Sequence, residues 1–450
     1  MGAAARYRNG YNNGYILRIA FISALGGYLF GFDFAVISGA LPFLRDSFQL
    51  SVYWEGFLTG SLALGCILGC IIAGSLSDKY GRKPGLMLAA ILFGGSALGM
   101  ALAANLTIFI LMRFLAGIGV GMASMLSPMY IAEVSPAGTR GRNVAINQLT
   151  IVIGILVTNL VNYQLADKGE DAWRWMFGLG AIPALLFLIG VWFLPESPRW
   201  LVKVGRVDKA RQVLAKIEES LTIPQTIKDI EGSLSGHEKP SLKAVFHKSV
   251  RPAVMVGIIL AVFQQLCGIN VVFNYTSTIF ESVGANLDRQ LFETVAIGIV
   301  NLVFTLLAMW QVDRIGRKPL MLTGALGLAI LYVILSLLIG NQASPGYVSI
   351  FVLLAIATYA VSLAPVTWVL ISEIFPTRIR GIATSTAVIF LWISYFILTF
   401  TFPVLYSKLQ SKTFLLYAGI CFLGFLFVKF KVKETKGKTL EEMESVFGGH

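Results

Sequence analysis

The stretch "GGYLFGFDFAVISGALPFL", residues 26–44, holds one acid, Asp33, among apolar and small residues. A second isolated charge, Arg113, interrupts "FILMRFLAGIGVGM". A charge alone in hydrocarbon costs on the order of 3 kcal/mol or more, so each asks for a partner. Burial favours the neutral form of a carboxyl, and a nearby guanidinium favours the charged form. Moving Arg113 relative to Asp33 would therefore load or release a proton. The alternative is a permanent ion pair that holds two helices together.

The elements that carry these residues are apolar runs of about 20 residues, the length needed to cross a bilayer. The chain of 450 residues is 56% hydrophobic and 13% charged, too apolar for a soluble surface of this size. Twelve spans are expected near residues 16–39, 54–76, 85–104, 107–131, 144–166, 174–194, 252–281, 291–311, 319–339, 348–371, 382–405 and 412–430. They must be helices, because a lone strand leaves backbone groups unpaired in lipid. Asp33 and Arg113 each lie about six residues from the outer end of a span, roughly 9 Å deep at the helical rise. Equal depth allows a pair. The first run is too long and glycine-rich for a cleaved signal, and the opening "MGAAARYRNGYNNGY" reads as disordered.

The net charge of +12 raises the question of a polyanion partner. With the N-terminus inside, the outer side carries only Arg45, Lys168, Arg174, Arg289, Lys408 and Lys412, and Arg113 lies within a span. The remaining Lys and Arg are cytoplasmic, the positive-inside pattern, with both termini in the cytoplasm. Lipid head groups suffice as the counter-charge, and no nucleic acid is implied. Cys66, Cys70, Cys267 and Cys421 lie in spans and read as packing residues, with no disulfide. No His or carboxylate adjoins them, so neither a metal nor a cofactor is expected.

The chain repeats itself. "SDKYGRKP" at 77–84 recurs as "VDRIGRKP" at 312–319, "EVSPAGTRGR" at 133–142 as "EIFPTRIRG" at 373–381, and "PESPRW" at 195–200 is echoed by "KETKGK" at 433–438. Three markers at nearly one spacing mean two six-span halves in parallel orientation, a design of rocking transporters. The expected domains are 1–194, a cytoplasmic linker 195–251 with short helices, 252–430, and a tail 431–450. In the linker, "DKARQVLAKIEES" reads as a surface helix starting at Asp208. It offers no nucleophile–base set, so an enzyme is not expected.

These motifs, together with "RFLAGIGVGMASMLSPMYIAEVSPAGTRGR", "PESPRWL", "FQQLCGIN", "SEIFPTRIRG" and "ETKGKTLEE", resemble the sugar porter family of the major facilitator superfamily over nearly the whole chain. The resemblance implies an all-α polytopic fold and transport of a monosaccharide or polyol by alternating access, by a working monomer in a membrane such as the bacterial inner membrane. It places spans one and four side by side at the cavity. In proton-coupled relatives the position of Asp33 is commonly Asp, and in facilitators Asn. Some proton-coupled relatives also carry an acid before "IPALL", where this chain has Gly180.

A sugar needs amides to match its hydroxyls and a flat apolar surface for its C–H face. Gln264 and Gln265 lie about 12 residues into the seventh span, roughly 18 Å and mid-bilayer. Asn270 follows Gly268, where the helix has reason to loosen, and Asn301 sits halfway along the eighth span. Trp392 is too deep in the eleventh for an interfacial belt. Interhelical hydrogen bonding is the competing reading for these amides. The resemblance adds Trp368 as a floor of the pocket, and Phe30 and Tyr275 as cavity wall and outer gate. It also marks two departures: Ile155 and Leu391 stand where relatives have sugar-binding Gln. An apolar wall discriminates less strongly than a hydroxyl-matching one, so broader specificity is expected.

By the same resemblance, Asp78, Arg82, Glu133, Arg140 and Arg142, repeated as Asp313, Arg317, Glu373, Arg378 and Arg380, form inner-face salt bridges that hold the outward-facing state, joined by Glu196 and Glu434. Snorkelling at the membrane edge is the alternative. Gly65, Gly69, Gly117, Gly119 and Gly121 are read as close-packing positions.

Overall fold

The computed structural model describes residues 10–136, 138–234, 247, 250–375 and 379–436. Helices account for nearly all of it, as lipid demands of a backbone that must satisfy its own hydrogen bonds. Spans 1 to 6 are Asn13–Phe48, Val52–Tyr80, Arg82–Ala101, Leu106–Val134, Arg140–Leu165 and Ala172–Phe193. Span 7 comes in pieces, Arg251–Leu266, Ile269–Asn274 and Thr276–Glu281. Spans 8 and 9 are Leu287–Ile315 and Arg317–Gly340, and span 10 is split into Pro345–Val361 and Leu363–Ile374. The last apolar stretch, Gly381–Lys431, covers 51 residues and resolves into two helices, Arg380–Leu409 and Thr413–Lys431, spans 11 and 12. Many helices outrun the apolar cores read from the sequence, because helical hydrogen bonding continues into their polar ends.

Local chemistry sets several boundaries. Asn105 caps span 4 by accepting the Ile108 N–H at 3.0 Å. Gly268, at φ +88°, breaks span 7; a Cβ there would also lie 2.7 Å from Cγ of Tyr417. Only glycine satisfies both demands.

The described residues fall into two compact units. One draws on the described residues of 10–33, 65–154 and 177–234, the other on those of 34–64, 155–176 and 247–436. In the first, spans 2 and 4 touch backbone to backbone. A Cβ on Gly65 would come within 2.1 Å of the Phe114 carbonyl oxygen, and one on Gly69 within 2.3 Å of that of Ile118. A Cβ on Gly121 would come within 2.3 Å of the Cys66 carbonyl oxygen. The part of the linker through residue 234 belongs to this unit. Its helices Pro198–Lys203, Val207–Ile217 and Ile223–Leu234 share a core of Trp200, Leu201, Leu214, Ile223, Ile227 and Ile230.

The opening segment departs from the expectation of disorder from Gly10 onward. Tyr11 pairs with Glu218 in an isolated antiparallel bridge, Asn12 N–H bonds the Ile217 carbonyl at 2.8 Å, and Glu219 N–H bonds that of Gly10 at 3.0 Å. The partner is a distant linker-helix end whose backbone groups are left over, a pairing that no local sequence signal announces.

In the second unit residues 34–64 and 155–176, from spans 1, 2 and 5, pack on the second half of the chain. Asn159 of span 5 donates Nδ2 to the Thr294 carbonyl of span 8 at 2.7 Å, and a Cβ on Gly56 would lie 2.3 Å from the Phe400 carbonyl oxygen of span 11.

Candidate functional site

Spans 1 and 4 bring the two lone charges together. Arg113 Nη1 donates to Asp33 Oδ1 at 3.3 Å, with the side chains 0% and 1% exposed. The guanidinium carbon also lies 5.9 Å from the centroid of the Phe177 ring, a cation–π contact. Asp33 Oδ2 is buried and has no hydrogen-bond partner among the described residues. Next to the acid, the Phe32 ring fills the space above Gly180: a Cβ on Gly180 would lie 2.6 Å from Phe32 Cε1. The packing therefore has no room for a second carboxyl at that position.

The amides expected to meet substrate gather around the breaks in spans 7 and 10. Gln264 Nε2 donates to the carbonyls of Leu363 and Ala364 at 3.4 and 3.3 Å, where span 10 restarts, while its Oε1 is buried with no hydrogen-bond partner among the described residues. Gln265 Oε1 accepts from Asn270 Nδ2. The break in span 10 at Ser362 falls where Pro365 has no N–H to give the Val361 carbonyl and its ring crowds that group; a Cβ on Gly324 of span 9 would collide with Ser362 Oγ. Trp392 is buried, its ring 5.8 Å from that of Tyr395. Trp368, on the second piece of span 10, is 42% exposed. Asn301 is buried on span 8 and Phe30 half-buried on span 1. Tyr275 is buried and donates to the Thr399 carbonyl at 2.7 Å, with its ring 4.9 Å from Phe402, tying span 7 to span 11. Ile155 and Leu391 are both buried.

Several polar groups escaped the sequence reading. Asn274 lies one turn after Asn270 on the same helix face and donates Nδ2 to the Tyr395 hydroxyl at 2.8 Å. Phe34 packs against both Phe273 and Tyr395, each ring 5.7 Å away. The four-residue spacing from Asn270 was the available signal. Glu293 of span 8 is buried, pairs with Arg289 at 2.6 Å and accepts the Ser349 hydroxyl at 2.5 Å. Its nearness to the outer end of the span hid it.

Among the described residues, the repeated charge motifs make the following contacts within each half. Arg82 Nη2 and Nε hold Glu133 at 2.7 and 2.9 Å, Glu133 also accepts from Ser197, and Lys203 pairs with Asp78 at 2.7 Å. Arg140 Nε donates to the Ala132 carbonyl at 3.0 Å, and Arg142 is exposed. Glu196 accepts the backbone N–H groups of Arg82 at 2.8 Å and Lys83 at 3.1 Å, at the start of span 3. Glu434 does the same for Arg317 and Lys318, each at 3.0 Å, at the start of span 9. The preceding glycines, Gly81 and Gly316, have φ of +102° and +106°. Lys83 Nζ reaches the Trp192 carbonyl at 2.6 Å, and Lys318 Nζ that of Lys429 at 2.9 Å. Each carboxylate thus sits on helix N–H groups that have no intrahelical acceptor. Burial raises the Glu196 carboxyl above the ordinary range despite the opposing N–H groups of Ser197, Arg82 and Lys83. Burial pushes Glu434 the same way, but the N–H groups of Lys436, Arg317, Lys318 and Thr435 outweigh it and hold its carboxyl below the ordinary range. Arg378, and the side chains of Asp313, Glu373 and Arg380, lie outside the described residues.

Known proteins resemble this arrangement throughout. The sequence model of the family described as "Sugar (and other) transporter" matches residues 19–447. The D-xylose–proton symporter of Escherichia coli (strain K12) is 39% identical over 478 residues, covering 97% of this chain and 96% of that protein. The arabinose–proton symporter of Bacillus subtilis (strain 168) is 36% identical over 445 residues, covering 97% and 96%. Among solved structures, the inward open conformation of the xylose transporter XylE from E. coli superposes with a TM-score of 0.86 at 38% identity, covering 96% of this chain and 100% of that one. With a match that spans both halves and the linker between them, the chain belongs to the sugar transporter family of the major facilitator superfamily.

Proposed function

We propose that this protein is a proton-coupled monosaccharide symporter that works by alternating access, with Asp33 as the proton carrier. The observation that carries the reading is the fully buried Asp33–Arg113 contact between spans 1 and 4. A bonded Arg113 favours the charged form of the carboxyl. When the two helices part, a buried acid with no guanidinium beside it favours the neutral form and takes a proton. Proton loading and helix movement are thereby one event.

Sugar is held by the amides at the break in span 7, Gln264, Gln265 and Asn270, with Asn301 from span 8 and the faces of Trp392 and Trp368. Phe30 and Tyr275 complete the wall and the outer gate. The unpartnered Gln264 Oε1 is an acceptor that a sugar hydroxyl can satisfy. The relatives named above are symporters of pentoses, so pentoses head the substrate panel, followed by hexoses and inositol. The setting is a bacterial inner membrane with both termini in the cytoplasm, an orientation that the positive-inside distribution supports. The working unit is a monomer, divided into the two six-span domains and linker read from the repeats.

A facilitator is the second reading. It is favoured by Gly180, whose packing under Phe32 leaves no second acid beside Asp33. Counterflow and pH-gradient-driven uptake in liposomes, run with D-xylose, L-arabinose, D-glucose and myo-inositol, separate the two. A symporter accumulates sugar when the outside is acidic, whereas a facilitator only equilibrates it.

A further inference from the structure

We propose that Arg45 is the catch of the outer gate, a positioning residue that holds the last piece of span 7, Thr276–Glu281, against spans 1 and 2. This rests on the alternating-access reading above. Arg45 ends span 1. Its Nε and Nη2 grip both oxygens of Glu55 at the start of span 2, at 3.0 and 3.1 Å, in the fork geometry that suits a carboxylate. The same guanidinium reaches across to span 7: Nη1 donates to Glu281 at 2.8 Å and Nη2 to the Thr278 hydroxyl at 3.0 Å. Beside these bonds, the Ser277 hydroxyl donates to the Ser38 carbonyl of span 1 at 2.8 Å.

The two sides of the catch differ in strength. The Glu55 side chain is 6% exposed and Arg45 26%, whereas Glu281 is 53% exposed. Stripping Arg45 from Glu55 would strand a buried charge, a costly step. Releasing Glu281 leaves an acid that water can solvate, and such exposed pairs are worth little. Arg45 therefore stays with Glu55 in its own half of the chain and lets go of span 7. The piece it releases follows directly on the helix that carries Asn270 and Asn274, beyond the break at Tyr275. A catch at this point couples the outer opening to the amide cluster without touching sugar.

The test uses the full-length protein in lipid nanodiscs with spin labels at Tyr53→Cys and Leu409→Cys, exposed positions at the outer ends of spans 2 and 11. The natural cysteines are buried and escape labelling. Double electron–electron resonance then reads the outer separation. Glu281→Gln should raise the wide population about fivefold, Glu281→Arg should raise it further by repelling Arg45, and Glu281→Asp should restore the native distribution. Arg45→Lys, which keeps one acid but loses the fork, should shift it in the same direction as Glu281→Gln. Unchanged distributions in both Glu281→Gln and Glu281→Arg would overturn the proposal. The symport reading is tested by sugar uptake in the unlabelled protein: widening without any uptake would keep the catch and remove the symporter.

Discussion

Arg113 Nη1 meets Asp33 Oδ1 at 3.3 Å, longer than a strong charge-assisted bond, and leaves Asp33 Oδ2 without a hydrogen-bond partner among the described residues. In the proposed function this pair parts when the proton loads. Asp33→Asn should abolish accumulation of sugar against its gradient while sparing exchange, because the amide keeps the shape and loses the proton. Uptake into proteoliposomes with and without an acidic exterior reads both. Undiminished accumulation in the variant would remove the proton role.

The bond between Gln265 and Asn270 makes the two amides one unit. Replacing either with Leu should weaken sugar binding about tenfold, and replacing both should cost little more than one alone, since coupled groups are not additive. Competition against counterflow measures it. Additive losses would show that the two act separately.

The two capping acids should respond to pH with opposite signs. Glu434, held low, contributes stability above the ordinary carboxylate pKa and loses it as pH falls through its folded value. Glu196, held high by its deeper cover, contributes most when protonated, below its unfolded pKa, and loses that contribution as pH rises toward its folded value. Glu434→Gln should therefore cost about 1 kcal/mol at neutral pH and flatten the fall in thermal stability below about pH 4.3. Glu196→Gln should cost less at neutral pH than at acidic pH. Melting curves from acidic to neutral pH in one detergent decide the matter.

Gly69→Ala should be poorly tolerated, since its Cβ would lie 2.3 Å from the Ile118 carbonyl oxygen. Overpacking of this kind costs on the order of 1–3 kcal/mol. Gly95→Ala, which meets nothing within 4 Å, should melt as the parent does. Equal melting of the two variants would mean that spans 2 and 4 can separate freely.

Much of this was legible in the residues. Bilayer length dictates the twelve spans, and the isolation of Asp33 and Arg113 among apolar neighbours announces them as partners. Polar groups at mid-span mark the Gln264–Asn270 region. Other features had no one-dimensional trace. The partners of Glu196 and Glu434 are main-chain N–H groups, which a reading of side-chain charges pairs with Arg and Lys instead. Asn274 and Tyr395 meet across sequence-distant helices, and the bridge from Tyr11 to Glu218 joins a terminus to a linker.

Because Glu196 and Glu434 grip the peptide backbone, the anchorage they provide is indifferent to which side chains follow Gly81 and Gly316. Acetylating Lys83 or exchanging Arg317 would alter the surface around these junctions and leave their moorings intact. Swapping either glycine for a larger residue would wedge the acid off its seat.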